Sequence, residues 1–151
     1  MKRILLFISF ISLSLDIFGQ SKFDSLVKDT IILENREMII EIPYISTVYK
    51  EKDSYEEGWF IYYPFIDTSL LFIHYGALVK RPFYREFQFY ELKEKIERDS
   101  IISYQGFCNN NYFREDYYKQ YGISIVCKNI PENYISLFNF IMDNFQVYIK
   151  K

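Results

Sequence analysis

The sequence predicts an α+β fold in which two helices pack on a largely antiparallel sheet of about six strands. Three observations support this prediction: short apolar runs that alternate at period two, two stretches with helical apolar spacing, and turn residues between them. The predicted order is β-β-β-α-β-β-β-α. Runs of strands interrupted by single helices are typical of the α+β class.

Ahead of this domain, residues 1–19 have the pattern of a cleavable secretory signal peptide. Lys2 and Arg3 precede an uncharged apolar run, residues 4–15, and Gly19 supplies a small residue for cleavage. The run is shorter than the ~20 residues that a membrane-spanning helix needs. The pattern is typical of bacterial export, so we expect the mature protein in the periplasm or outside the cell. A buried N-terminal helix is the alternative.

The mature chain is predicted to form one domain. Residues 20–30 are mixed and polar, and we expect a loosely held N-terminal arm or a short helix there. Residues 31–151 are expected to form the single α+β domain, because no internal repeat and no linker rich in Pro, Gly or Ser divides them. A chain of this size buries one core without metals or many disulfides.

The mature domain is faintly acidic, which narrows the classes of partner. Loss of Lys2, Arg3 and Asp16 with the leader takes the chain from 18 basic and 20 acidic residues to 16 and 19, a net charge of −3. Such a domain lacks the basic field that attracts phosphate backbones. Nucleic acid and anionic lipid are therefore not expected as partners.

The first half of the domain is predicted to contain three strands. Residues 37–42 are close to period two, with Met38, Ile40 and Ile42 on one face, and Pro43 ends this strand because it has no N–H to give to a ladder. Residues 59–63 and 70–75 are apolar on both faces and predict a hairpin of central strands. The charged stretch 50–58 between the first strand and the hairpin is expected to be an exposed loop.

The first predicted helix spans residues 87–98. Phe89, Leu92 and Ile96 recur at helical spacing, and the segment ELKEKIER combines high helix propensity with opposite charges four residues apart. Phe87 and Phe89 also alternate as in a strand, so the segment is ambiguous, and we expect the helix.

Three strands and a second helix complete the prediction. The strands are expected at residues 101–107, 112–118 and 123–127, separated by turns that contain asparagine or glycine. The helix begins near Pro131, because the first helical position tolerates proline. Its continuous apolar face consists of Tyr134, Leu137, Phe138, Ile141 and Phe145.

Cys108 and Cys127 are the only cysteines in the chain. In an exported protein two cysteines predict one disulfide, because the compartment is oxidising. The bridge would close a loop of about 20 residues and contribute on the order of 3 kcal/mol. Two buried free thiols are the alternative. One histidine and these cysteines do not make a four-ligand zinc site, and no metal or other cofactor is expected.

Aromatic residues make up 21% of the chain, with 15 Tyr, 15 Phe and 1 Trp. One core does not easily hold so many rings, so we expect several tyrosines at the surface, where Tyr and Arg anchor protein contacts. In the segment YFREDYY, strand alternation places Tyr112, Arg114, Asp116 and Tyr118 on one face. A coding bias toward aromatic residues and a solvated ion pair are the alternatives. The predicted binding residues are Trp59, Tyr63, Tyr112, Arg114, Asp116 and Tyr118.

Catalytic motifs are not apparent in the sequence. His74 is the only histidine, and no nucleophile elbow accompanies it, so we expect a core or rim histidine rather than a general base. No glycine-rich phosphate loop is present. A glycosidase needs two carboxylates at a set separation, which sequence spacing does not test. The available carboxylates are those of Glu56, Glu57, Asp67, Glu115 and Asp116.

These observations favour an exported, non-catalytic binding module whose partner is another protein, with an inhibitor or immunity-type role suiting its size. A small envelope hydrolase acting on sugar or peptide and a carbohydrate-binding module are the alternatives. A cleft that converges on His74 or on two carboxylates would favour the hydrolase. A flat aromatic patch would favour a protein partner, and a shallow row of coplanar rings would favour a sugar.

Overall fold

The fold is mostly β. The computed structural model describes residues 26–33, 36–43, 48–53, 58–65, 68–76 and 91–149. Of these residues, 71% lie in strands, which form two antiparallel sheets, and one helical segment follows the ninth strand. The predicted α+β arrangement of two helices on one sheet of six strands is therefore wrong. The predicted signal peptide, residues 1–19, lies outside the described residues.

The strands build a three-stranded sheet A, in the order β1-β2-β10, and a seven-stranded sheet B, in the order β3-β4-β5-β9-β8-β7-β6. In chain order they are β1 (Leu26–Leu33), β2 (Arg36–Pro43), β3 (Tyr49–Asp53), β4 (Gly58–Pro64), β5 (Leu70–Tyr75), β6 (Glu91–Arg98), β7 (Ile101–Cys108), β8 (Asn111–Tyr118), β9 (Ile123–Ile130) and β10 (Gln146–Ile149). Helix α1 (Ile135–Asp143) follows a 3-10 turn, Glu132–Tyr134.

Several predicted elements are confirmed. The strand at 37–42 is β2, and the hairpin is formed by β4 and β5, with Ile61 opposite Ile73. The three strands of the second half are β7, β8 and β9, and the last predicted helix is α1 with its preceding turn. These elements share a clear apolar period or an unambiguous turn, and both signals are local to the sequence.

The predicted helix at 87–98 is wrong over its described part. Residues 91–98 form strand β6, which pairs with β7 and places Ile96 opposite Ser103. Residues 87–90 lie outside the described residues. Helix propensity differs by only a few tenths of a kcal/mol between such residues, and pairing with an open strand edge outweighs it. Because β6 is an edge strand, its charged side chains remain in solvent, which also disfavours pairing with another chain.

Two further expectations are corrected at sheet edges. Within the predicted arm at 20–30, residues 26–30 belong to β1, which pairs with β2 over eight positions. Within the predicted loop at 50–58, residues 50–53 belong to β3, which pairs with β4. Strand β10, which sequence analysis does not predict, completes sheet A beside β2. None of these three strands has a strong alternating pattern, since each lies at an edge.

The main core lies between sheet A, the inner face of sheet B (the face toward sheet A) and helix α1. Two polar contacts also join the sheets: the Tyr63 hydroxyl donates to Asp29 at 2.9 Å, and Arg36 donates to the Tyr75 hydroxyl at 2.7 Å. Burial of one Ile or Phe side chain stabilises the fold by about 1.5–3 kcal/mol. The fully buried members of this core include Ile31, Met38, Ile40, Ile61, Ile73, Ile123, Ile125 and Ile141.

The outer face of sheet B is buried as well. Phe72, Phe113 and Val126 lie on this face and are almost completely removed from solvent. Central strands of sheet B are therefore covered on both sides, which agrees with their apolar character on both faces.

The disulfide predicted between Cys108 and Cys127 is not formed, and both residues are free thiols. Cys108 lies on β7 opposite Asn111, and Cys127 lies on β9 opposite Arg114, so strand β8 separates them. Two strand spacings amount to about 10 Å, beyond the about 7 Å between Cα atoms that a disulfide spans. Burial raises the pKa of the Cys127 thiol to about 12.

We expect the two thiols to differ in reactivity. Cys108 is half-buried, whereas Cys127 is completely buried and remains protonated at neutral pH. Iodoacetamide should therefore label Cys108 in the native protein, and both cysteines only in urea, as read by mass spectrometry of peptides. The intact mass should not change on reduction. A deficit of about two daltons before reduction would contradict the fold around β8.

Candidate functional site

The candidate site is a cleft of about 380 Å³ between sheet B and helix α1. This volume lies in the range of small-molecule sites. The cleft combines one aromatic wall with several polar side chains. Its lining residues are Lys93, Glu94, Gln105, Gly106, Phe107, Tyr112 and Asn139.

A β-bulge in β6 shapes the rim of the cleft. Leu92 pairs with Gly106 and Glu94 pairs with Gln105, so Lys93 is an extra residue in the ladder. Neighbouring side chains of a regular strand point to opposite faces, but the bulge allows Lys93 and Glu94 to line the same cleft.

Gly106 allows strand β6 to approach β7 at the bulge. A Cβ atom at this position would overlap the carbonyl oxygen of Glu91 and would lie 2.8 Å from Cε1 of Phe113. Any larger residue would therefore push β6 away from β7 and would change the rim of the cleft.

A chain of hydrogen bonds runs along the cleft from β6 to α1. Gln105 donates from Nε2 to Glu94. The Tyr112 hydroxyl lies 2.8 Å from Oε1 of Gln105 and 2.9 Å from Oδ1 of Asn139, and its single proton bonds one of these acceptors at a time. Burial raises the pKa of Tyr112, so the phenol remains a donor at physiological pH. The chain fixes the orientation of both carboxamides.

Arg114 anchors this chain from behind the cleft. Its guanidinium binds Asp116 through two hydrogen bonds of 3.0 and 2.7 Å, Asp143 at 2.7 Å and Oδ1 of Asn139 at 3.2 Å. Burial by itself would lower the pKa of Arg114, but the hydrogen bonds and charges of Asp116 and Asp143 outweigh this effect and raise it. Arg114 thus stays charged and ties β8 to α1.

Four groups of the cleft remain available to a ligand. Within the described part of the chain, Nδ2 of Asn139 and Oε1 of Glu94 make no hydrogen bond to protein. Lys93 uses one of its three donors on Glu91. The Phe107 ring is 37% exposed and meets the Tyr112 ring edge-on, with centroids 5.7 Å apart.

The predicted binding residues do lie on one face of sheet B, but that face is the inner one. Tyr63, Tyr112, Asp116 and Tyr118 are buried, Arg114 is nearly so, and Trp59 packs against the core. They do not form a contact surface in this fold. Tyr112 alone of the six lines the cleft.

Sequence reasoning missed most of the lining residues. Lys93 and Glu94 were assigned to the helix at 87–98, and no local pattern reports a bulge. Gln105 and Phe107 are two residues apart on β7, and in a strand this spacing indicates that they share a face. Asn139 is a polar interruption of the apolar surface of α1, and it marks the helix face that turns toward Tyr112.

A separate polar group is buried on the outer face of sheet B. His74 lies opposite Ser124 in the pairing of β5 with β9, and the Ser124 hydroxyl donates to Glu115 on β8. Sequence spacing offered no serine partner for His74, and only the sheet brings one close. All three residues have no exposed surface, and the His74 ring stacks on Phe60 at 4.2 Å. A substrate does not reach a site with this burial.

The carboxylates considered for a glycosidase do not converge in the described residues. Glu115 and Asp116 are both buried, on opposite faces of sheet B. Glu56, Glu57 and Asp67 lie outside the described residues. Among the residues that line the cleft, Glu94 is the single carboxylate.

We expect the pair of Arg114 and Asp116 to be essential for stability. Asp116→Ala leaves a buried guanidinium with the exposed carboxylate of Asp143 as its remaining charged partner among the described residues, so it should lower the free energy of unfolding by about 3 kcal/mol. The double variant Arg114→Met with Asp116→Leu should lose less stability than this single variant, because no buried charge is left unpaired and Asp143 is exposed. Urea denaturation measures both.

The control for this prediction is Lys119→Ala, which removes an exposed pair with Glu97 and should leave the unfolding midpoint unchanged. If Asp116→Ala cost less than about 1 kcal/mol, the pair would behave like a surface ion pair and would not anchor the cleft.

Within the described residues, no group of three or more His, Cys, Asp or Glu side chains is arranged to hold a metal ion. In the same part of the chain, no helix has the length and apolar character needed to cross a bilayer. No family model matches the sequence, and searches of curated proteins and of solved structures found no similar protein.

Proposed function

We propose that this protein is an exported, non-catalytic binding module whose ligand site is the cleft between β6, β7, β8 and α1. The observation that carries the proposal is the convergence of an exposed aromatic ring, Phe107, with polar groups that the protein has already oriented. Pre-oriented groups bind with a smaller loss of side-chain entropy than mobile ones. Export is proposed from the basic and apolar character of residues 1–19.

The chemistry of the lining supports binding rather than catalysis. Hydrolysis of a glycosidic bond uses two carboxylates on either side of the bond, and the described residues of the lining supply one, Glu94. Among the described residues of the lining there is no serine, cysteine or histidine that would act as a nucleophile or general base. Tyr112, with its raised pKa, acts as a donor and not as a base at neutral pH.

A protein partner is a second candidate, and a specific surface favours it. Ile32 of β1, Glu37 of β2 and Tyr148 of β10 are neighbours in one row on the face of sheet A that points away from the core. Ile32 is 57% exposed, and Tyr148 is 49% exposed. An exposed tyrosine beside an exposed isoleucine gives this row an apolar and aromatic character, and aromatic residues are enriched at protein contact surfaces. We therefore propose this row as the contact for a protein partner, in place of the buried tyrosines.

The cleft is tested by NMR titration of the purified chain with glucose, glutamate, lysine and adenosine as probes. At least one probe should shift the backbone amides of Gln105, Phe107 and Asn139. Phe107→Ala should weaken the binding of that probe by about fivefold, since an aromatic contact contributes about 1 kcal/mol. Leu92→Ala is the matched control, because Leu92 is also 37% exposed on a neighbouring strand but does not line the cleft. The cleft would be refuted as the ligand site if no probe shifted these amides, or if Phe107→Ala and Leu92→Ala had equal effects on binding.

The protein partner is tested by photo-cross-linking in the envelope fraction of the source cells. A photoreactive residue at Ile32 should form a discrete adduct, and one at Tyr49, which is 58% exposed at the edge of sheet B, should not. The matched exposure of the two sites separates recognition from random collision. Adducts of equal yield at both positions, or none at Ile32, would exclude the row on sheet A as the contact.

A further inference from the structure

We infer that the ligand of the cleft is an uncharged, hydroxylated ring, which places it in the chemical class of the saccharides. This inference rests on the proposed function of the cleft and specifies its ligand. It follows from three properties of the described lining: balanced charge, the presence of both free donors and free acceptors, and an aromatic face beside them.

The charges of the cleft do not select an ion. Lys93 contributes one positive charge and Glu94 one negative charge to the lining, and Lys93 is also paired with Glu91. Arg114 behind the cleft is held by two carboxylates, those of Asp116 and Asp143, so its charge is not available to a ligand. An anionic ligand would meet the carboxylate of Glu94, and a cationic ligand would meet the ammonium group of Lys93. A neutral ligand avoids both penalties.

The free hydrogen-bonding groups match hydroxyl groups. Oε1 of Glu94 only accepts, whereas Nδ2 of Asn139 and the remaining protons of Lys93 only donate. A hydroxyl group donates and accepts at once, so neighbouring hydroxyls on one ring satisfy both kinds of group. The bonds from Gln105 to Glu94 and from Arg114 to Asn139 hold these groups in position before the ligand arrives.

Phe107 supplies the apolar part of the recognition. Its ring is held edge-on against Tyr112 and remains 37% exposed to the cleft. A saccharide ring has a face of C–H groups that packs on an aromatic ring while its hydroxyls point outward to polar partners. A flat apolar wall next to fixed polar groups is the arrangement that such a two-sided ligand requires.

The direction in which one substitution changes the affinity distinguishes a saccharide from an anionic ligand. Glu94→Gln replaces a charged acceptor with a weaker neutral one, so a saccharide should bind more weakly, by about threefold or more. An anionic ligand such as glutamate should bind more tightly to the same variant, because the repelling charge is gone. Both titrations are measured on the purified chain by NMR, with glucose, galactose, N-acetylglucosamine and glutamate as probes.

The aromatic wall is tested with one aromatic and one aliphatic replacement. Phe107→Trp should retain saccharide binding, whereas Phe107→Leu should weaken it by about fivefold, because leucine is apolar but offers no ring face. Equal binding to both variants would overturn the stacking contact and, with it, this inference.

The outcomes separate the inference from the proposed function. Saccharide binding that weakens in Glu94→Gln and Phe107→Leu supports both. Binding of glutamate or lysine at the cleft amides without any saccharide binding overturns the ligand class and leaves the binding module intact. Failure of every probe to shift the amides of Gln105, Phe107 and Asn139 overturns both.

Discussion

The buried guanidinium of Arg114 is the constraint on which the cleft depends. A charge on the inner face of a central strand is costly unless several acceptors surround it, and here Asp116, Asp143 and Asn139 do so. Because Asp143 and Asn139 belong to α1, satisfying the charge also fixes the helix against β8. The same bond to Asn139 orients the carboxamide that faces Tyr112. The stability of the core and the geometry of the cleft therefore share one interaction, so changes at Arg114 affect both.

Tyr49 and Tyr148 are exposed, as composition predicts, whereas the tyrosines chosen as binding residues are buried. The expectation of a tyrosine-rich surface assumed that one core receives the aromatic side chains. Sheet B instead buries both of its faces: Tyr63 and Tyr118 lie on the inner face, and Tyr104 lies on the outer one. Each buried hydroxyl still needs a partner, and the bond from Tyr63 to Asp29 shows how sheet A provides one. A sheet covered on both sides thus holds an aromatic content that one core would not.

The elements that are predicted correctly are those whose apolar periodicity is visible within a short segment of the sequence. The hairpin of β4 and β5 and helix α1 have apolar periods that single windows detect. The missed strands β1, β3, β6 and β10 all lie at sheet edges, where one neighbour suffices and side chains remain in solvent. Residues 91–98 have the composition of a helix because an edge strand that avoids aggregation also carries alternating charges. Only pairing with β7, which is not encoded in the segment itself, decides between the two.

The cleft was beyond sequence reasoning for the same reason, and the reason bears on its function. Its groups come from β6, β7, β8 and α1, and the feature that joins them is the bulge at Lys93 in the edge strand. A bulge in an edge strand ends regular pairing and discourages a further strand from adding. Here it also places Lys93 and Glu94 in one cleft, so the bulge that protects the sheet edge supplies both charged residues of the described lining. Lys93 and Glu94 carry opposite charges, so the described lining holds charged hydrogen-bonding groups without a net charge of its own, and this balance suits a neutral ligand rich in hydroxyl groups.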